Sequence, residues 1–428
     1  MFIRSLVLFC LFVISNSLSA NGVLRNGLGA RTPGLGGAGV AFCDDPLNAM
    51  NYNPAALGQW QQNELQGSIT LGFLDGEYSN SVSADNDADS TPGFIPEVAY
   101  IHSLTDTLSV GFSVSPLASV EVDWDFLDPP GALGSYGSQT SKSSFVAVRS
   151  AAGFGIQLNP ELSFGASLGL VYNRNRLKSP YIFQTATGLT GAKVLVNLDT
   201  DGFGVNGVAG LRYRPTENIA LDISYTSPTT FETNGTLRGT SNPVIGLGDF
   251  SFATEVETAL PQVVSGGMTW TTINNHKLGI QLDWIDWSDA FDVLPVDLTN
   301  ESTGFALPAI YDVAPLDWKD QLVVRIGGEF HYSDKLKLRA GYSYGGSPVP
   351  SDTLTPTTAA IMQHTIGLGL GYQFGNYKID FAYQWDLPIE ENVGNSKLLF
   401  DEFNNSEVDI SIHWLSISIS LIDPFAKL

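Results

Sequence analysis

The chain has 428 residues, a formal charge of −23 at pH 7, 44 glycines, and 15 % charged residues against 43 % hydrophobic ones. So acidic a protein has no electrostatic attraction for nucleic acid, and its aromatic content of 11 % is unlike that of a disordered acidic tail. The composition fits an extended β-sheet protein.

Residues 1–20 read as a Sec-type export signal, with a cationic start at Arg4, an apolar run from Leu6 to Ile14, and small residues at Ser17, Ser19 and Ala20. That run is shorter than a spanning helix requires, and no later window approaches about eighteen uncharged apolar residues. A mature protein without transmembrane helices is expected. Cys10 lies inside the signal with no lipidation box before it, which leaves Cys43 as a lone thiol and no intramolecular disulfide.

Residues 21–60 are dominated by Gly, Ala and Asn. Their centre, Gly34 to Leu57, is too rich in glycine for a stable helix and too irregular for a strand. It carries Gly36, Gly37, Asp44, Asp45 and the run Asn53-Pro54-Ala55. Such a segment packs inside something or is disordered.

Alternation of period two begins after residue 60. Leu162, Phe164, Ala166, Leu168, Leu170 and Tyr172 hold one face, while Ser163, Gly165, Ser167, Gly169 and Asn173 hold the other. The same period recurs from Leu278 to Trp284, Leu322 to Tyr332, Leu336 to Tyr344, Ile366 to Phe374 and Tyr377 to Trp385. Strands are expected at 62–73, 95–103, 107–117, 143–158, 162–176, 203–215, 218–238, 249–272, 276–287, 319–332, 335–345, 363–374, 377–386 and 407–421, fourteen in all. Connections after odd-numbered strands are long, and those after even-numbered strands are short, as at Ser333-Asp334.

This rhythm puts every tight turn at one end of an up-and-down sheet and every elaborate loop at the other. Outer-membrane barrels have that asymmetry, together with an even strand number and a lipid-facing apolar band. The expected fold is therefore all-β, a transmembrane antiparallel β-barrel over 61–428 with 21–60 as a hatch, or plug, in its lumen. Trp284, Trp287, Tyr342, Tyr344, Tyr383 and Trp385 fall near strand ends, as interfacial aromatics should. Pro261 implies a bend or bulge in the eighth strand. In the last strand, Val408, Ile410, Ile412 and Trp414 share one face but Leu415, Ile417, Ile419 and Leu421 share the other. Either a β-bulge near Trp414 restores one stripe, or half of the strand turns apolar groups into the lumen.

By register, Lys277, Asp283, Arg325, Glu329, His331, Lys335, Lys337, Arg339, Lys378 and Asp380 point inward. Mixed charge of this kind either holds a plug by hydrogen bonds and ion pairs or is solvated in an open pore. Arg325, Glu329, Arg339 and Asp380 are the candidate lumen network.

Three stretches act together: Gly34 to Leu57 with Asp44-Asp45 and Asn53-Pro54-Ala55; Leu260-Pro261 with Gly266, Gly267 and Asp283 to Ser288; and Trp318-Lys319-Asp320 with Arg325 to Phe330, Asp334 to Leu336, Leu338 to Tyr342 and Pro348-Val349-Pro350. In these the chain resembles the FadL family of outer-membrane transporters for long-chain fatty acids and other hydrophobic compounds, which includes channels for aromatic hydrocarbons. The resemblance spans nearly the whole mature chain. It implies a fourteen-stranded barrel with an N-terminal hatch whose Asn-Pro-Ala element sits against a kinked third strand. It further implies capture of a hydrophobic ligand at the external loops, transfer to a lumenal apolar pocket, and lateral exit at the kink. The third strand holds Gly111 and Pro116, either of which can break the ladder, although Pro116 can equally just end the strand. Asn53 and Pro54 are then candidates to fix the hatch and gate the exit, against the plainer role of making a turn. The external loops match nothing that names a ligand.

Other motifs are weak. Gly34 to Gly39 satisfies a dinucleotide fingerprint, but Arg31-Thr32-Pro33 precedes it and Asp44-Asp45-Pro46 cuts off the helix it needs. Asp85, Asp87 and Asp89 imitate a calcium loop, yet Ser90 and Pro96 stand where Gly and Glu belong. Asp123, Asp125 and Asp128 also read as a solvated loop. The five histidines lack metal spacing, and His413, a loose candidate for a barrel phospholipase, reads better as a girdle or lumen residue. The expected protein is a monomeric outer-membrane channel without catalytic, metal or cofactor-binding residues. It passively admits hydrophobic molecules, foremost long-chain fatty acids, with outer-membrane lipid, lipopolysaccharide and the barrel assembly machinery as its surroundings. A general porin and a surface adhesin are the rival classes.

Overall fold

In the computed structural model, which describes residues 22–89, 92–130, 134–241, 248–304 and 307–424, the alternating segments form one closed antiparallel sheet of fourteen strands. The export signal expected at 1–20 lies outside the described residues. The strands are β1 Glu64–Ser79, β2 Gly93–Thr105, β3 Leu108–Leu127, β4 Ser138–Gln157, β5 Leu162–Ile182 and β6 Lys193–Thr216. Next come β7 (Ile219–Thr226, resumed at Thr229–Ser241), β8 (Asp249–Leu260, resumed at Val263–Thr271) and β9 Lys277–Ile285. The last are β10 Gln321–His331, β11 Leu336–Gly345, β12 His364–Phe374, β13 Tyr377–Asn392 and β14 Glu407–Ile422. β1 closes on β14 in unbroken register from Glu64↔Ile422 to Ser79↔Glu407, which joins the first and last strands into a ring. Tight turns such as Asp106-Thr107, Glu217-Asn218 and Gly375-Asn376 lie at one end. The loops 286–320, 346–363 and 393–406 lie at the other.

Several strands run far beyond the length that alternation suggested. β5 has 21 residues and β6 has 24, against about ten to cross a bilayer. The outward row of β5 explains the excess, because Leu168, Leu170 and Tyr172 give way to Arg174, Arg176 and Lys178. Hydrogen bonding continues past the membrane while the outer face becomes polar, and Arg174 pairs with Asp199 of β6 at 2.7 Å. Tyr172, packed on Phe203 with ring centroids 5.4 Å apart, marks the interface.

β14 resolves the choice its sequence left open. Its register with β1 carries no bulge. Val408, Ile410, Ile412 and Trp414 are buried in the lumen, whereas Leu415, Ile417 and Ile419 are exposed on the outer wall. The strand changes its apolar face where it leaves the bilayer, since above that level the dry side is the inside. The irregularity falls on its partner, where the β13 register shifts between Asp386 and Ile389. Trp287 likewise departs from expectation. It is fully buried against Trp318 and Phe291 and belongs to the lumenal core, not to the girdle. Trp284, Tyr342, Tyr344 and Tyr383 are exposed on the outer wall, and His413 joins them, stacked on Tyr383 and Trp385. β8 is interrupted at Pro261, beside the interruption of β7 at Ser227-Pro228.

The N-terminal residues thread the ring. A 3-10 turn at Pro33–Leu35, helix α1 at Pro46–Asn51 and a second 3-10 turn at Pro54–Gln59 are almost wholly buried. Cys43 is a free, buried thiol. The wall admits this backbone through inward-facing glycines. A Cβ at Gly341 or Gly367 would overlap the backbone of Leu35 or Pro33, and one at Gly155 or Gly165 would overlap Pro54. Gly165→Val is therefore expected to destabilise the barrel by about 1–3 kcal/mol, read as a lower midpoint of heat-modified electrophoretic migration. Gly266→Val, on the outer wall with open space around it, should leave the midpoint unchanged; equal midpoints for both would contradict the packing described.

Candidate functional site

The lower lumen is an ion network that ties the threaded segment to the wall. Arg31 bonds Asp44, and its Nε lies 3.1 Å from Glu329 of β10. Glu329 also meets Arg339 Nε of β11 at 2.8 Å, and Arg339 Nη1 meets Asp380 of β13 at 2.6 Å. Arg325 pairs with Asp283 at 2.6 Å and donates to Asn26 and to the Gly36 carbonyl. Lys277 meets Asp44 at 2.5 Å. Of the four residues assigned to the lumen network, Arg325 and Glu329 thus bind the N-terminal segment directly, and Arg339 and Asp380 extend the network behind Glu329. Lys335 takes no part, because it sits exposed in the turn between β10 and β11.

Local chemistry explains the other hatch residues. Asp45 caps α1 by accepting from the Asn48 N–H at 3.2 Å. Gly36 and Gly37 both take positive φ, 67° and 78°, and close a turn in which the Gly37 N–H donates to the Thr32 carbonyl. Asn53 caps the second 3-10 turn through the Ala55 N–H at 3.1 Å and donates from Nδ2 to Asp222 of β7 at 2.8 Å. Asn53-Pro54-Ala55 rests on the inward glycines Gly155, Gly165 and Gly210 of β4, β5 and β6. It does not sit chiefly on the third strand as the resemblance implied, because only glycine leaves room for its backbone.

The third strand is broken, and at one of the two expected positions. Gly111 lies in a regular ladder, opposite Ile101 and Gly153, and makes room for Met50 of α1. The register against β4 shifts between Pro116 and Ala118. Pairing between β2 and β3 ends at Val98↔Val114, although β3 continues to Leu127. From Ser113 to Pro116 every residue is buried, so the strand bows inward. Among the described residues the hydroxyls of Ser115 and Ser119 have no hydrogen-bond partner there. The free edge is taken by the N-terminal segment, with Leu24 forming a bridge to Ala118 and the Arg25 N–H donating to Leu117 at 3.0 Å.

Above this seal lies an apolar chamber of about 220 Å³, lined among others by Val23, Val120, Phe145, Phe291, Leu294 and Trp318. Its roof is clasped by Lys193, whose Nζ lies 2.5 Å from Asp128 and 2.7 Å from Glu402 and donates to the Pro129 carbonyl. One ammonium at the start of β6 thus joins two loops, at Asp128-Pro129 and at Glu402. Burial pushes the Glu402 carboxyl up to about 7 despite the attraction of Lys193. The chamber residues and Leu24–Arg25 are absent from the sites read in the sequence. Phe291, Leu294, Leu316, Trp318, Leu398, Leu399 and Phe403, apolar residues inside nominal loops, were the available signal.

A family model described as outer membrane protein transport protein (OMPP1/FadL/TodX) matches residues 11–397. Among curated proteins no sequence match is found. Solved structures share the fold. A Pseudomonas aeruginosa FadL homologue is 16 % identical with a TM-score of 0.76, over 94 % of this chain and 99 % of that one. The Pseudomonas putida toluene transporter TodX is 21 % identical at 0.73, over 94 % and 99 %. The Ralstonia pickettii toluene transporter TbuX is 16 % identical at 0.69, over 92 % and 98 %.

The roof clasp has a definite pH sign. A carboxyl whose folded value lies above its ordinary one holds its proton more tightly in the closed rim, so the rim is firmest in acid and loosens as pH rises through about 7. Limited proteolysis within 393–406 is expected to run several-fold faster at about pH 8 than at about pH 5.5, and Glu402→Gln should remove the difference. Equal wild-type rates at both values would contradict the clasp.

Proposed function

The chain belongs to the family of outer membrane transport proteins typified by OMPP1, FadL and TodX, an outer-membrane channel family for hydrophobic compounds, and on that premise we propose a route for its cargo. Cargo enters between the long loops and desolvates in the upper chamber. It then leaves sideways into the bilayer where β2 and β3 part. The observation that carries this reading is the end of the β2–β3 ladder at Val98↔Val114, with the freed edge of β3 held by Leu24 and Arg25. Such a seal is two backbone contacts strong, far weaker than a continuous strand pair. Transfer of an apolar solute from water is worth about 25 cal/mol per Å² buried, which drives capture without ATP or a redox cofactor.

The long-chain fatty acids expected from the sequence remain the first cargo to test. A monoaromatic hydrocarbon is the second reading, favoured by chamber size, since an apolar cavity of about 150 Å³ suffices for benzene and this one is about 220 Å³. Solved relatives titled toluene transporter share this fold. The gate moves from Asn53-Pro54, which anchors the segment on β4 to β6, to Val23–Arg25, which touches both chamber and break. The monomer, embedded in lipid and lipopolysaccharide after insertion by the assembly machinery, suffices for this route, because chamber and exit lie in one chain.

A disulfide placed across the seal tests the route. In Leu24→Cys/Ala118→Cys protein reconstituted into vesicles, oxidation is expected to abolish uptake of labelled fatty acid and of toluene, and reduction to restore both. Undiminished uptake by the oxidised protein would rule out the lateral exit, and rapid sugar flux through the wild type would mark a general porin instead.

A further inference from the structure

Arg25 differs from its neighbours in how its charge is met. Arg31, Arg325 and Arg339 each hold a carboxylate within 3.1 Å, whereas among the described residues no carboxylate lies in ion-pair range of Arg25. Arg25 is 7 % exposed, and among the described residues its Nε has no hydrogen-bond partner. The guanidinium lies over the ring of Trp414 at 4.8 Å, a contact that accommodates a cation but uses none of its N–H donors. The nearby acids are otherwise engaged. Asp386 accepts from Thr365 and from Trp414 Nε1, and Glu97 accepts from the Gly29 N–H through Oε2, while its buried Oε1 has no partner among the described residues and lies outside ion-pair range of Arg25.

Arg25 lines a second cavity, of about 90 Å³, on the inner side of the wall break. Leu24, Leu117, Leu260 and Ile285 give that cavity an apolar side, and Arg325, already paired with Asp283, stands at the other. A buried cation with idle donors is costly unless something fills them, and a carboxylate, which can accept two parallel N–H bonds, is the best match to a guanidinium. We propose that Arg25 is the receptor for the anionic head of an amphipathic cargo, a single carboxylate on an apolar body, held in the lower cavity at the point of exit. This inference rests on the lateral route proposed above. The head is read by the same residue whose backbone N–H seals Leu117, so occupancy pulls directly on the seal.

The test uses full-length protein in detergent, with tryptophan fluorescence reporting binding of dodecanoate, dodecanol, 3-phenylpropionate and toluene, and reconstituted vesicles reporting uptake of the same four. Arg25→Gln is expected to weaken dodecanoate roughly tenfold or more while leaving dodecanol and toluene within about twofold, as loss of a charged hydrogen bond requires. Arg25→Lys, which keeps the charge but loses the planar fork, should fall between. A matching loss for 3-phenylpropionate places the selectivity in the head, and loss for dodecanoate alone places it in an aliphatic acid. Unchanged dodecanoate binding, or a parallel loss for dodecanol that marks a packing role, would overturn the inference while wild-type toluene uptake keeps the route. Absence of uptake for all four probes by the wild type would overturn both.

Discussion

Irregular backbone can occupy the middle of a membrane protein only where its N–H and C=O groups find partners, and the wall of this barrel is built around that requirement. Glu97 takes the Gly29 N–H, Ser418 takes that of Ala30, Gln281 takes those of Val40 and Ala41, and Gln66 takes that of Leu47. Thr269 and Ser224 donate back to the carbonyls of Ala41 and Tyr52. The polar lumen is therefore a mould for one particular chain segment. Its charges serve the same end, since the Arg31, Glu329 and Arg339 cluster is too dry to persist unless each member is paired.

Much of the architecture was legible in the chain because the side-chain period of a strand is a strong constraint. Alternation located all fourteen strands, and the unequal connections told the two ends of the ring apart. The inward register of Arg325, Glu329, Arg339 and Asp380 was legible for the same reason. What the sequence concealed lies where the environment changes along one element. β14 carries apolar residues on opposite faces, and only the level of the bilayer decides which half faces inward. Trp287 looked like an interfacial aromatic until the loop after β9 folded it over the lumen.

The wall break shows a different limit. Pro116 removes a ladder donor and so announced itself, whereas Gly111 looked equally suspicious and proved to be a space-making residue beneath Met50. Nothing local distinguishes those two cases. The role of Leu24 and Arg25 was hidden more deeply, since a bridge to Ala118 joins positions far apart in sequence. Asn53-Pro54-Ala55 was conspicuous by composition, yet its place was set by three glycines on three other strands.

Those glycines also bear on how the outer membrane stays sealed. Where wall and threaded segment meet backbone to backbone, no side chain can swing aside to make a passage, and sliding the whole segment would break every contact together. The lower lumen is packed backbone to backbone, whereas the tip after Val23 is held to the wall by its contacts with Leu117 and Ala118. A solute leaving through the side at that level never opens a water-filled line from one compartment to the other. On the lateral route proposed above, greasy molecules would be admitted without a leak to ions.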